Sequence, residues 1–343
     1  MYTEEDISNA VAKGIFSQES AGSFRKFIAE QRGTLAVDEE NFRLLSSFND
    51  IFVVAICVLL LISAMMIGDS FVSWGGALAE TIAAWALAEI FTRKRRMALP
   101  SILLVCAFVG GVFATGLLFQ AAAATFAPHD LFDSTYHVVI LSGLVAALSA
   151  WIHWWRFRVP ITVALGVAAS GITLVWLARE LFPELSQEMH LVFFLLGIAI
   201  FFLAMRWDMS DPARLTRRSD VAFWLHLLAA PLLVGPLFYF LHVIGGSGSL
   251  RVGLVVLIMY LVLAAISLSI DRRALMASAL FYVIFTMTEV LREHGVVNLS
   301  LAFAGLIIGM ALLILSIFWH PVRQFVLRYF PASLQSRLPQ SQR

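Results

Sequence analysis

Charge is what this chain of 343 residues has least of: Asp, Glu, Lys and Arg make up 14%, against a hydrophobic share of 60% and a mean hydropathy of +0.85. A soluble domain keeps roughly 25% charged residues to cover its surface, so water is excluded as the solvent for most of this chain and lipid is left. Net charge is only +1, which removes the basic footprint that nucleic-acid binding needs. Cysteine is nearly absent. Cys57 and Cys106 both lie in apolar stretches, so no disulfide framework or zinc spacing exists and both are expected to pack as small hydrophobes. No Walker loop, dinucleotide fingerprint or nucleophile elbow occurs, and Gly245-Gly246-Ser247-Gly248-Ser249 reads as a flexible turn. An enzyme is therefore disfavoured and no cofactor is expected. The first fifty residues lack a basic start followed by an apolar run, so no cleaved leader is expected.

What is present is a series of apolar segments, each near the length of about 20 residues that crosses a hydrocarbon core. Ten can be drawn, at 51–67, 71–91, 101–126, 136–155, 161–177, 191–205, 221–244, 252–270, 274–291 and 299–319. The lysines and arginines between and after them fall on alternate loops. One set holds sixteen: Arg93–Lys94–Arg95–Arg96, Arg156, Arg158, Arg206, Arg214, Arg217, Arg218, Arg272, Arg273, Arg323, Arg328, Arg337 and Arg343. The opposite set holds three, Arg179, Arg251 and Arg292. Because translocation disfavours Lys and Arg, the richer set is expected in the cytoplasm, with both termini on that side. Trp151, Trp154, Trp155, Trp207, Trp224 and Trp319 fall near those same span ends, where indoles favour the headgroup level.

The expected fold class is thus all-α: a polytopic bundle of about ten spans over 51–320, preceded by a cytosolic helical preface (1–50) and followed by a basic amphipathic tail (321–343). In the preface, Gly14 ends one helix and Ser17 opens a second that carries Phe24, Phe27 and Ile28 on one face. A third helix is expected from Asp38, with Phe42, Leu45 and Phe48 on one side at the interface. In the tail, Val322, Phe325, Val326 and Tyr329 share a face and Arg323 and Arg328 lie off it.

Charges within spans mark either a pathway or a pair. Glu80 sits nine residues into the second span with no Lys or Arg within two turns. It reads as a proton or cation relay, or as a neutral acid bonded to backbone. His226 lies inside the seventh span together with Pro231, Gly235 and Pro236, which are expected to break the helix. It reads as a titrating pathway group or as a satisfied packing residue, and a Glu80–His226 pair is conceivable if the two spans touch. Glu89 stands four residues before Arg93, the spacing of an interfacial ion pair. Carboxylates and imidazoles at His129, Asp130, Asp133 and His137, with Glu180, Glu184, Glu188 and His190, are weak candidates for a metal without a recognised spacing. Gly305 and Gly309 form a GxxxG that suits close helix contact inside the protein or between two copies.

The stretch Ala12-Lys13-Gly14-Ile15-Phe16-Ser17-Gln18-Glu19-Ser20-Ala21 resembles the opening of the DUF2157-type bacterial membrane proteins, a family without an assigned activity. Asn41-Phe42-Arg43-Leu44-Leu45 leading to Phe48-Asn49-Asp50-Ile51 is similar to their approach to the first span, as is Arg93–Arg96 followed by Ala98-Leu99-Pro100 to their inner loops. The resemblance covers about the first hundred residues and implies a bacterial inner membrane and a multi-pass architecture, with no site residues. Ten spans with both ends inside also matches the layout of drug/metabolite transporters, two inverted halves of five spans, here divided between Leu177 and Leu191. The first expectation for function is a transporter-like protein for a small solute or ion, with Glu80 and His226 near its path. The alternative is a scaffold or sensor whose residues 1–33 bind a cytosolic partner.

Overall fold

The computed structural model describes residues 4–31, 48–124, 135–211, 214, 216–240, 250–293 and 299–328, and among these every regular element is helical. The chain divides into two compact units, residues 1–43 with 340–343, and residues 44–339.

In the first unit α1 (Glu4–Ala12) and α2 (Gln18–Gln31) form a helical hairpin. Gly14 takes the left-handed backbone (φ +71) that ends a helix cheaply only for glycine. The Ser17 hydroxyl then accepts the Ser20 N–H at 3.0 Å, satisfying one of the free donors at the start of α2. Ile7 and Ala21 are buried, whereas Ile15 (69% exposed) and Phe16 stand at the tip, Phe16 stacking on Phe24 at 6.5 Å. The interfacial helix expected from Asp38 lies outside the described residues, as do the tail beyond Arg328 and Tyr329.

The second unit contains α3 (Phe48–Asp69), α4 (Gly75–Ala88), α5 (Ala98–Ala124), α6 (Thr135–Phe157), α7 (Ile161–Leu181) and α8 (Met189–Met209). It continues with α9 (Arg217–Phe240), α10 (Leu250–Ile270), α11 (Ala274–Glu293), α12 (Ser300–Ile317) and the short α13 (Trp319–Leu327). The ten apolar segments correspond to α3–α12. Nine of these, among the described residues, are long and apolar enough to cross a membrane. The exception is α4, a helix of 14 residues continued by a π-helical turn of 6 residues, Glu89–Lys94. There the Arg95 N–H reaches back five residues to the Ile90 carbonyl (3.0 Å), so the wider turn keeps the backbone paired up to the basic run. Leu59, Phe202, Phe281 and Leu306, on four different helices, point large apolar side chains outward. Helices apolar on their outer as well as their inner faces require a lipid surround.

Packing is organised in three neighbouring cores. Cys57, Leu104 and Ala146 belong to the core of α3–α7, and Ile200, Val221 and Leu225 to that joining α7, α8 and α9. Phe238, Leu263 and Val283 belong to that of α9–α13. The central element is α9, which packs on α7, α8 and α11. It approaches α8 closely enough to bring backbone against backbone. A Cβ on Gly197 would stand 2.9 Å from the Leu232 carbonyl carbon and 3.0 Å from the Leu233 nitrogen.

Three expectations are revised. First, α9 is not broken: it runs continuously through Pro231, Gly235 and Pro236. Proline removes one backbone bond and crowds the preceding turn, but in lipid every remaining backbone group still favours the helix, and tightly packed neighbours hold it. Second, Gly305 and Gly309 lie on the exposed face of α12 with open space beyond their Cα atoms, so they serve no close contact among the described residues. Third, the two sets of five helices do not pack alike. α4 packs on α3 and on α5 alike, while its counterpart α9 packs on α8 and then on α11 and α7.

Four turns, those bearing the arginines, each hold one non-glycine residue with a left-handed backbone: Arg96, Arg158, Arg214 and Asp271, at φ between 52° and 57°. Such a residue costs roughly 1–2 kcal/mol relative to glycine. At Arg158 the guanidinium lies over Trp154 at 5.7 Å. Arg214 and Asp271 bond one another, as described below. Nothing in the structure explains Arg96.

Candidate functional site: a buried charge cluster at the arginine-rich end

The α10–α11 turn begins as a helix ending in which glycine is the usual choice. The Arg272 N–H bonds the Ser267 carbonyl (3.0 Å) and the Asp271 N–H the Leu268 carbonyl (3.3 Å), with left-handed Asp271 between them. Asp271 supplies what glycine lacks. One carboxylate oxygen accepts from Arg214 (3.0 Å) and the other from the Trp319 indole N–H (2.9 Å), with the Arg323 Nε 3.6 Å away. Arg214 also donates to the carbonyls of Ile270 (3.3 Å) and Asp271 (3.0 Å), and Arg323 donates to that of Leu268 (3.0 Å). Arg323 is almost wholly buried.

The tail helix is therefore docked through Trp319, Val322, Arg323 and Val326, one face of α13, and Phe325 is exposed. This corrects the expectation that Arg323 lies off the packed face. A buried carboxylate on the neighbouring turn draws the guanidinium inward, which an apolar periodicity cannot show.

One residue on, Arg272 enters a second knot. Its guanidinium binds both oxygens of Asp208 at 2.6 and 3.2 Å and donates to the carbonyl and the hydroxyl of Ser219, each at 3.1 Å. Asp208 closes α8, Ser219 lies in the first turn of α9, and both side chains are buried. His226, two turns further along α9, places Nε2 2.9 Å from Asp208 Oδ2. An ionised carboxylate only accepts, so Nε2 carries a proton. The other ring nitrogen, Nδ1, is buried and has no hydrogen-bond partner among the described residues. Phe201 sits edge-on to the ring at 5.3 Å. Between the knots and the helix start, Asp211 accepts from the Thr216 N–H (2.8 Å) and hydroxyl (2.7 Å). Three carboxylates thus fix the two turns that join α8 to α9 and α10 to α11.

Of the residues singled out in the sequence, His226 is in this cluster, paired with Asp208 rather than with Glu80. Glu80 is half-buried on α4 and makes no hydrogen bond or ion pair among the described residues. Pro231 is exposed, Pro236 buried, and Gly235 faces the Tyr282 hydroxyl. Glu89 pairs with Arg93 (3.2 Å) as its spacing suggests, and also with Arg156 on α6 (2.8 and 3.0 Å). His137 contacts Glu180 at 2.8 Å on the exposed opposite end. His129, Asp130 and Asp133 lie outside the described residues, and no group of three or more metal-ligating side chains occurs among those described.

Sequence reading missed Asp208, Ser219, Asp271 and the inward role of Arg272. A usable signal was there: Asp208 and Asp271 are acids at the ends of apolar runs, on loops otherwise crowded with arginine. Compared with known families, curated proteins and solved structures, the chain finds no match in any of the three.

Proposed function

We propose that this multi-pass membrane protein belongs to a bacterial inner membrane, in the manner of the DUF2157-type proteins it resembles, with both termini in the cytoplasm. We further propose that it is transporter-like and moves a small solute or ion. The observation that carries this reading is the buried Asp208–His226–Arg272 cluster, formed where α8, α9 and the α10–α11 turn converge. Ionisable groups within apolar spans are costly and usually mark a pathway or a pair, and this pair leaves a basic nitrogen of His226 unpartnered. In the proposed role the cluster closes the cytoplasmic end, and Glu80, a spanning acid without a hydrogen-bond or ion-pair partner among the described residues, receives the proton or cation from the other half of the bundle.

The test uses proteoliposomes loaded with the pH dye pyranine under an imposed pH gradient, with sugars, amino acids, organic acids and amines presented in turn. The wild type is expected to move protons with one solute class, and Glu80→Gln and His226→Gln to lose that movement while melting at the wild-type temperature. No coupled movement with any class, or an undiminished rate in Glu80→Gln, overturns the reading.

A second reading is favoured by a different observation. The α1–α2 hairpin is a compact unit of its own and carries Ile15 and Phe16 exposed at its tip. As a docking knuckle for a cytosolic protein it would make the chain a scaffold or sensor. Deleting residues 1–33 is then expected to leave membrane insertion intact and to abolish partner capture by in-cell crosslinking, and unchanged capture counts against it. Gly305 and Gly309, open on α12, are where a second copy would approach most closely.

A further inference from the structure

A crevice of about 210 Å³ lies where α10, α11, α12 and α13 meet at the arginine-rich end. Its walls are apolar, with Leu280 on α11 and Leu312 and Leu315 on α12. Tyr260 of α10 lines it as well. That side chain is 8% exposed, and its hydroxyl is buried without a hydrogen-bond partner among the described residues. At the other extreme, Arg273 is exposed and makes no ion pair among the described residues. Its guanidinium lies 4.8 Å from the centre of the Trp319 ring. The Trp319 N–H is held by Asp271, so the ring is a fixed platform and the cation above it is positioned rather than free to wander.

We propose that this crevice holds one anionic phospholipid of the membrane leaflet at the arginine-rich end. Its phosphate lies against Arg273 and Trp319, and part of an acyl chain runs between α11 and α12 towards Tyr260. Three physical arguments select this occupant. The crevice starts at the ends of the spans, beside a tryptophan, which is the level of lipid headgroups. An unpaired arginine there calls for an anion, and a lipid phosphate suits its planar fork of donors at that level of the membrane. The volume excludes a protein helix, whose diameter is about 10–12 Å. It exceeds the roughly 150 Å³ of an apolar cavity that accepts benzene, so a stretch of acyl chain fits.

The experiment is native mass spectrometry of the full-length protein taken from vesicles of equal phosphatidylglycerol and phosphatidylcholine. The wild type is expected to retain one phosphatidylglycerol in preference to phosphatidylcholine. Arg273→Gln, at an exposed position, is expected to lower that preference about fivefold, the factor one arginine is worth at an anionic lipid surface. Ala277→Trp, which fills the crevice, is expected to remove the retained lipid of either kind. If Ala277→Trp does not fold, Arg273→Gln decides the matter alone. Equal retention of the two lipids by the wild type, or an undiminished preference in Arg273→Gln, overturns the proposal. Retention of free fatty acid in place of phospholipid overturns it too.

Discussion

Asp208→Ala is expected to destabilise the protein by about 3–5 kcal/mol, the cost of leaving one partner of a buried ion pair without the other. The substitution strips Arg272 of both carboxylate contacts and His226 of its Nε2 acceptor, while the guanidinium stays buried between α8, α9 and the α10–α11 turn. The Ser219 carbonyl and hydroxyl cannot neutralise it. Thermal unfolding in detergent, followed by far-UV circular dichroism, reads the loss directly. The double variant Asp208→Leu with Arg272→Met is expected to recover most of it, because an apolar pair of similar volume avoids the desolvation that the ion pair must offset. A double variant no more stable than Asp208→Ala would mean that the cluster contributes net stability rather than only avoiding a penalty. A single variant that melts like the wild type would show that Asp208 is not enclosed as described.

Gly197→Val is expected to damage the packing of the central helix severely. Its Cβ would meet backbone atoms of α9 at 2.9 and 3.0 Å, and backbone cannot rotate away as a side chain can. Overpacking costs about 1–3 kcal/mol in general and sometimes more. Here it also drives α8 from α9, so the 2.9 Å contact between Asp208 and His226 is strained from a distance of several turns. The matched control is Gly305→Val, where nothing stands within 4 Å and the change is expected to stay within about 0.5 kcal/mol. Yield of monodisperse protein and melting temperature, measured on both variants, distinguish the two sites. Similar behaviour of the pair would contradict the close approach of α8 to α9.

Much of the architecture was legible because its signal is long and repetitive. Each span is a run of apolar residues, and α3, α5 and α10 could scarcely be anything else. α4 shows the limit. Its run was visible, but the switch to a π-helical turn at Glu89 depends on where Arg95 and Met97 find carbonyls, which no hydropathy window records. α9 shows another. Two prolines and a glycine suggested a break, and the helix persists because its surroundings, not its propensity, decide. The cluster was half legible. His226 stood out as a polar residue in an apolar segment. Asp208, Asp271 and Arg272 sit at span ends, where charge is ordinary, and only the folded chain shows that Asp208 and Arg272, 64 residues apart, meet out of water. Arg323 was misplaced for the same reason.

The arrangement of α9 has a consequence for how the chain is made. Synthesis delivers α3–α7 first, and these supply the buried residues of one apolar core, with Trp224 of α9 packing against it later. α8 and α9 come next, bringing Asp208, Ser219 and His226 into the membrane while Arg272 is still to be translated. During that interval the carboxylate has only His226, its neighbour across the hairpin, to share a proton or a charge with. The turn carrying Asp271 and Arg272 then supplies the cation, and α13 arrives last to lock Asp271 through Trp319 and Arg323. A chain released before residue 319 would therefore contain nearly every apolar helix and still lack its final latch. In this way α13 acts as a proofreading mark on the whole membrane domain.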